Sequence, residues 1–556
     1  MNKLWWHNAV VYQIYPRSFK DSNNDGIGDI PGIISKLDYL AELGINVIWL
    51  SPVWQSPMDD NGYDISDYDD IATEFGTLAD MDRLIAEARQ RNICILLDLV
   101  VNHSSDEHRW FQQARQSRDN PYRDHYIWRK ANADGTPANG LHSFFGGSVW
   151  QWDESSREYY LHLFSKKQPD LNWQNPKMRA EIYAMMNRWL DRGIAGFRMD
   201  VIELLGKDID HKILANGPKL HDILQEMHAK TLAGRDALSV GETWAATPEI
   251  ACLYSDPQHR ELSMVFGFDH IKLTYHATEG KWKPKPFDLI ELKRVFNTWQ
   301  TALAGRGWNS LFWNNHDLAR SVSIYGNDGE YRIKSAKMLA TVIHGMQGTP
   351  YIYQGEEIGM TNVAFASIDD YQDIETRNLY REKISRGYSH QEMMAAIHTH
   401  SRDNARTPMQ WDDSAYAGFS QTEPWLKVNP NFKDINVQHD RSRDDSLFRH
   451  YQLLIRLRKT HDILVYGQFE LILAEHAQVF GYLRHYQGKT LAVINNFSAS
   501  IIALTLPVSL SNTHCKNWIS NDAPRMELTR QLTLTPYESF MVMLTPSVAQ
   551  LRSTFR

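Results

Sequence analysis

Eight short apolar runs, at 10–15, 46–50, 93–101, 196–201, 238–242, 263–268, 309–313 and 349–354, alternate with amphipathic stretches of helical period. Apolar runs this short read as strands, and helical stretches between them supply the crossovers that parallel strands require. Eight repeats of that unit predict an α/β chain whose core is a closed (β/α)8 TIM barrel. Two regions depart from the alternation. Residues 104–171, rich in His, Trp, Tyr, Gly and Asn, read as a subdomain inserted after the third strand. Residues 466–556 turn to short alternating strands and predict a C-terminal all-β sandwich, leaving 1–103 and 172–465 for the barrel.

Polar chemistry sits where such a barrel would use it. Segments 98–103 (DLVVNH), 196–201 (GFRMDV), 241–244 (GETW) and 314–317 (NNHD) fall at the ends of the third, fourth, fifth and seventh predicted strands, and barrel active sites lie at the C-terminal strand ends. Together they bring Asp200, Glu242 and Asp317 toward His103, Arg198 and His316. These residue types suit glycoside hydrolysis, in which one carboxylate attacks the anomeric carbon and a second protonates the leaving oxygen. Arg198 and Asp200 are two residues apart, so in a strand they share a face and Arg198 is expected to hold Asp200 ionised, as a nucleophile requires. Trp244 follows Glu242 by two residues, and its ring is expected to desolvate that carboxyl toward a general acid. Alone, Asp317 reads equally as a helix cap and His103, beside Asp98 and Asn102, as a buried strand end. Their order along eight strands favours the catalytic reading.

Charge narrows the substrate. The 556 residues carry a net charge of −8 with no basic stripe, which argues against a nucleic-acid partner and favours a neutral substrate. Cys94, Cys252 and Cys515 are odd in number and far apart, so reduced, buried thiols are expected rather than a disulfide framework. The N-terminal segment has no apolar signal region, and no run of 18 apolar residues follows, so a cytoplasmic location with no membrane partner is expected; the chain is also expected to be a monomer.

Just after the first strand stands DSNNDGIGD, 21–29. Oxygen donors at Asp21, Asn23, Asp25 and Asp29, a glycine at the sixth place and the Ile27 carbonyl at the seventh reproduce the spacing of an EF-hand calcium loop. The twelfth place is Gly32 rather than Glu, so the bidentate ligand is missing. A structural Ca²⁺ is expected there, with an Asx-rich turn as the metal-free alternative.

With these residues assembled, the chain resembles the α-amylase superfamily, glycoside hydrolase family 13, along essentially its whole length. It is most similar to the oligo-1,6-glucosidase and dextran glucosidase members, through WWHNAVVYQIYPRSF at 5–19, SPMDDNGYDISDY at 56–68, FSKKQPDLNW at 164–173, GTPYIYQGEEIGMTN at 348–362 and RDNARTPMQW at 402–411. The resemblance implies Asp200 as nucleophile, Glu242 as acid/base and Asp317 as transition-state stabiliser. It also implies that Asp60, Tyr63, His103, Phe145, Gln168, Arg198, His316 and Arg402 line the subsite for the non-reducing glucose, with Arg406 an outlying member. Val201 after the nucleophile and QPDLN at 168–172 resemble members acting on α-1,6 bonds. The short 202–216 segment, with Trp244, resembles the dextran glucosidases and implies an open aglycone side.

Rival readings share the machinery. A sucrose isomerase would carry an Arg-rich segment before RDN, where this chain has IHTHS at 397–401. A hydrolase of sucrose isomers stays open. Trehalose-6-phosphate hydrolysis would need a phosphate cluster, for which Lys281, Lys283 and Lys285 are the candidates. A non-catalytic amylase-like scaffold would have a membrane span and lack the carboxylates.

Overall fold

The computed structural model describes residues 3–545; the outermost parts of the expected first and last domains, 1–2 and 546–556, lie outside the described residues. Eight parallel strands form the core: β1 Val11–Ile14, β2 Val47–Leu50, β3 Cys94–Leu99, β4 Gly196–Met199, β5 Leu238–Thr243, β6 Met264–Gly267, β7 Ser310–Leu311 and β8 Thr349–Tyr353. They run β6-β5-β4-β3-β2-β1-β8-β7, and a parallel bridge from Val265 to Asn309 joins the two ends. This is the expected barrel. β7 is shorter than the 309–313 run because only Ser310 and Leu311 keep ladder partners on β8.

Period two along each strand sorts the residues. Val11, Val47, Trp49, Leu96, Leu238, Val240, Met264 and Phe266 share the inner cluster, while Tyr12, Ile14, Ile48, Ile95, Leu97, Phe197 and Met199 belong to the shell between strands and helices. Asp98, Arg198 and Glu242 each stand two residues beyond an inward position, so the apolar filling ends and a charged layer begins toward the strands' C-terminal ends. Asp98 and Arg198 are direct partners in the β3–β4 ladder. Gly196 has φ +142°, and a Cβ there would sit 1.8 Å from the Leu238 carbonyl oxygen, so only glycine lets β4 lie against β5 at this point.

The outer helices follow the same logic. Helix Pro176–Arg192 starts with Asn175 accepting the Lys177 N–H and stops at Gly193 in the left-handed region. Its buried positions Met178, Ile182, Met185, Met186 and Trp189 recur at helical spacing and pack on the strands.

Between β3 and β4, strands Trp128–Arg129, Glu158–Leu161 and Trp150–Asp153 form an antiparallel sheet in that order. Its apolar face, with Val149, Trp150, Leu161 and Leu163, packs against Val201, Leu204 and Ile209 just after β4. A second excursion, after β8, is not apparent from the periodicity. Helices Ile374–Ser385 and His390–His400 stand over the C-terminal face of the barrel, and the first has Thr376 as its one buried residue.

Beyond helix Asp462–Tyr466 come β9 Gln468–Ile472, β10 Val479–Tyr486, β11 Lys489–Asn496, β12 Ile502–Thr505, β13 Thr513–Ser520, β14 Glu527–Leu528, β15 Gln531–Leu534 and β16 Ser539–Leu544. Six form an antiparallel sheet in the order β9-β10-β11-β16-β13-β14, and β12 and β15 form a second. The two sheets share one apolar core. Lys293, on barrel helix Leu289–Leu303, ties this unit down by donating to the carbonyls of Leu473, His476 and Val479 at 2.7, 2.7 and 3.2 Å.

All three cysteines are free, but Cys94 is exposed, unlike Cys252 and Cys515. It opens β3 at the barrel's N-terminal rim, so the apolar run in which it lies buries the residues after it and not the thiol. Among the described residues no helix is long and apolar enough to cross a membrane.

Candidate active site

Arg198 organises the floor of the site. Fully buried, it donates through Nη1 to Asp98 and Asp200, both at 2.8 Å, and through Nη2 to Glu242 at 2.6 Å. Asp98 also accepts from the Trp49 indole at 3.0 Å and the Tyr63 hydroxyl at 2.9 Å. One guanidinium thus serves three carboxylates, so the pairing with Asp200 expected from the sequence is shared with Asp98 and Glu242. Burial, reinforced by Glu242 and Asp98, pushes the Asp200 carboxyl well above the usual range against the pull of Arg198. Burial likewise pushes Asp98 up.

The backbone helps to aim the pair. Val201, directly after Asp200, has φ 36° and ψ 43°, a left-handed conformation that is strained for a β-branched side chain. In it the Val201 N–H donates to Glu242 Oε2 at 3.1 Å. On the other side the Trp244 indole donates to Glu242 Oε1 at 2.9 Å and stacks on Phe268 with centroids 3.9 Å apart. The indole thus hydrogen-bonds the carboxylate rather than merely desolvating it.

A second charged group forms the far wall. Arg402 donates to Asp373 at 2.9 and 2.6 Å, to Asp317 at 3.2 Å and to Asp60 at 3.2 Å, with the Phe145 ring 5.1 Å from its guanidinium carbon. Burial would raise the Asp317 carboxyl, but His316, Arg402 and Arg406 hold it well below the usual range. Asp373 takes no part in the four motifs. It caps helix Ile374–Ser385 with the same carboxylate that grips Arg402. Burial pushes the His103 imidazole down to about 4, so the ring is neutral; its Nε2 lies 2.9 Å from the Tyr63 carbonyl.

These walls enclose a cavity of about 670 Å³. Asp200, Glu242, Asp317, Asp60, Tyr63, His103, Phe145, Trp244 and Arg402 all line it. Gln168, Arg198 and His316 instead stand fully buried behind the wall, contrary to the expectation that they form its surface. Gln168 braces Asp60 at 3.2 Å, and His316 stacks on Tyr63 with ring planes 3° apart. Arg406 lies behind Asp317, to which it donates at 2.8 Å. Glu203, Tyr275, Trp282 and Glu375 also line the cavity and went unnoticed in the sequence, since no motif holds them together. Of the lysine group, Lys281 lines the cavity but is paired with Glu375 at 2.6 Å, and Lys283 pairs with Glu279 at 3.2 Å.

Loop 21–29 folds as a nest of Asx turns. Asp21 accepts from the N–H groups of Asn23, Asn24 and Gly26 and from the Ser420 hydroxyl, and Asp29 caps helix Ile30–Ser35. Among the described residues no three acidic, His or Cys side chains converge as a metal cage. The donors are all oxygen, which suits a hard cation, and exposed Asp25 would have to turn inward to meet one.

A barrel whose strand ends surround a sugar-sized cavity with paired carboxylates, a buried arginine and a bracing histidine defines a glycoside hydrolase. The chain belongs to the α-amylase family: the family's alpha amylase catalytic-domain model matches residues 13–467. It is 57% identical to the palatinase of Erwinia rhapontici, covering 97% of this chain and 98% of that protein. It is 55% identical to the glucan 1,6-alpha-glucosidase of Streptococcus pneumoniae over 98% of this chain and 100% of that protein. Among solved structures, trehalose-6-phosphate hydrolase of Bacillus licheniformis superposes with a TM-score of 0.93 at 46% identity, covering 98% and 100% of the two chains. The protein is an enzyme of the α-glucosidase group in this family.

Proposed function

We propose that the protein is an exo-acting, retaining α-glucosidase that cleaves α-1,6 bonds at the non-reducing end of isomalto-oligosaccharides. The observation that carries this reading is the hold of Asp200 and Glu242 by the two terminal nitrogens of one guanidinium. Such a grip suits the roughly 5 to 5.5 Å pairs of retaining enzymes better than the roughly 6.5 to 9.5 Å pairs that leave room for water. In this reading an Asp200 oxygen bonds to the anomeric carbon as the glycosidic C–O bond breaks. Glu242 gives a proton to the leaving oxygen. Glu242 then takes a proton from water, which attacks the same carbon and releases Asp200. Two inversions return α-glucose. Asp60, Arg402 and Asp317 close the far end around a single sugar, which supports exo action, and Val201 supports the α-1,6 preference. The working division of the chain is at 103/104, 171/172 and 465/466.

A second reading, hydrolysis of sucrose isomers such as isomaltulose, draws on the 57% identical palatinase. Phosphorylated sugars fit less well, because six carboxylates and only two cations, Lys281 and Arg402, line the cavity, and both cations are already paired. The test is a set of initial rates on isomaltose, isomaltotriose, isomaltulose, sucrose, maltose and trehalose 6-phosphate, with the anomer followed. Isomalto-oligosaccharides are expected to react fastest and release α-glucose. Faster isomaltulose cleavage would select the second reading, and β-glucose as first product would refute the retaining mechanism.

For the loop we propose a structural Ca²⁺ held by Asp21, Asn23, Asp25, the Ile27 carbonyl and Asp29. A bound ion stabilises only the folded loop, so removing calcium with excess chelator is expected to lower the Tm by about 2 °C or more, reversed by Ca²⁺. An unchanged Tm on chelation and readdition would count against the ion.

A further inference from the structure

Glu203 is a further carboxylate near the Asp200–Glu242 pair, buried and part of the cavity lining. It sits in the 3-10 turn Ile202–Leu204 that follows Val201. Both of its oxygens accept backbone N–H groups. Oε1 accepts the Trp244 N–H at 2.9 Å and the Ala245 N–H at 3.2 Å, and Oε2 accepts the Ala245 N–H at 2.9 Å. The turn after β5 is thereby fastened to the turn after β4. Lys272 holds it from the outside, donating to the Trp244 carbonyl at 2.6 Å.

The side chain of the fastened residue reaches the proton donor. Trp244 has its backbone N–H on Glu203 and its indole N–H on Glu242 Oε1 at 2.9 Å. Glu242 Oε2 is meanwhile held by Arg198 and the Val201 N–H. Each oxygen of Glu242 is thus fixed by a different turn, and Glu203 is the group that locks those two turns together.

We propose that Glu203 is a positioning residue for proton donation: through Trp244 it aims the Glu242 carboxyl at the leaving oxygen. This rests on the reading of Glu242 as acid/base given above. A residue that aims a proton matters in proportion to how badly the leaving group needs one. A sugar alkoxide cannot depart unprotonated, whereas p-nitrophenolate departs without a proton as the C–O bond to Asp200's target carbon breaks.

The experiment compares kcat/KM on isomaltose and p-nitrophenyl α-glucoside for the wild type, Glu203→Gln, Trp244→Phe and the double variant. Gln keeps the shape but replaces one acceptor oxygen with an NH₂, and Phe keeps the stack on Phe268 without the indole N–H. General acid catalysis is typically worth ~10²- to 10⁴-fold, so each single variant is expected to lose at least about 10-fold more on isomaltose than on the nitrophenyl substrate. The double variant is expected to lose little more than the worse single one, as for two links of one chain. Equal losses on both substrates, or independent losses that multiply, would overturn the proposal; if Glu203→Gln does not fold, Glu203→Asp, which keeps the charge but draws the carboxylate back from the Trp244 and Ala245 N–H groups, takes its place in the same comparison. A wild type inactive on both substrates would instead refute the glucosidase reading.

Discussion

Asp200→Asn is expected to abolish turnover of isomaltose, by about four orders of magnitude or more, because an amide cannot form the glycosyl ester that splits the reaction in two. The side chain keeps its volume and can still accept from Arg198, so substrate binding should persist. Stability should move the other way. Asp200 is pushed toward its protonated form by burial, with Glu242 and Asp98 adding to the effect, and a neutral Asn removes that strain. A raised Tm with lost activity is the expected pair of results, the exchange of stability for function common at active sites. Asp200→Gly in azide should recover partial cleavage of p-nitrophenyl α-glucoside and give the β-glucosyl azide, since azide enters from the face that Asp200 vacates. Appreciable turnover by Asp200→Asn, or no azide adduct, would remove Asp200 from the nucleophile's role.

Arg198→Met should have the largest effect on the fold. Methionine fills much of the space, but Asp98, Asp200 and Glu242 lose the one cation they share. Breaking a buried ion cluster by removing one partner typically costs about 3–5 kcal/mol. The pH dependence follows from the shifts. Asp98 and Asp200 have raised pKa values in the folded state, so their contribution to stability is fully present below the unfolded value and is lost as pH rises through the folded one. Acidifying should therefore recover part of the deficit. Asp317 and Asp373 are held below the ordinary range, and they contribute stability that is lost only when pH falls below the ordinary Asp value of about 3.9. The variant's Tm deficit should be greatest at neutral and alkaline pH and smallest near pH 5, read by thermal melts across pH. A deficit independent of pH would mean that packing, not charge, is what Arg198 supplies.

Much of this was legible in the chain. Barrel strands are buried on both faces, so they appear as continuous apolar runs, and the charged layer is conspicuous because it interrupts those runs at strand ends. The parts that were not legible have physical causes. Helix Ile374–Ser385 buries little of itself and so leaves no apolar stripe to announce where it docks. Asp373 reads as an ordinary helix cap, and nothing in its neighbours reveals that Arg402 shares its carboxylate. Glu203 acts through backbone N–H groups, which every residue possesses. Cys94 is exposed despite its apolar run because strand hydrophobicity says which run enters the barrel but not at which residue the rim begins. Trp244 was placed correctly beside Glu242, but its polar edge, not its apolar face, meets the carboxylate.

The double duty of Asp373 bears on how such an enzyme can change. Its carboxylate starts helix Ile374–Ser385 and anchors Arg402 in the cavity wall, while Glu375, two residues on, holds Lys281. On the proposed reading, recognition of the glucose and of the leaving sugar is therefore not built as two separable modules. A lineage exploring new aglycones, or an engineer grafting them, has freedom in the outward-facing residues of that helix, whereas moving its first turn loosens the grip on glucose. Segment 373–402 should thus be exchanged between relatives as one block, and piecemeal chimaeras should lose glucose affinity before they acquire a new partner sugar.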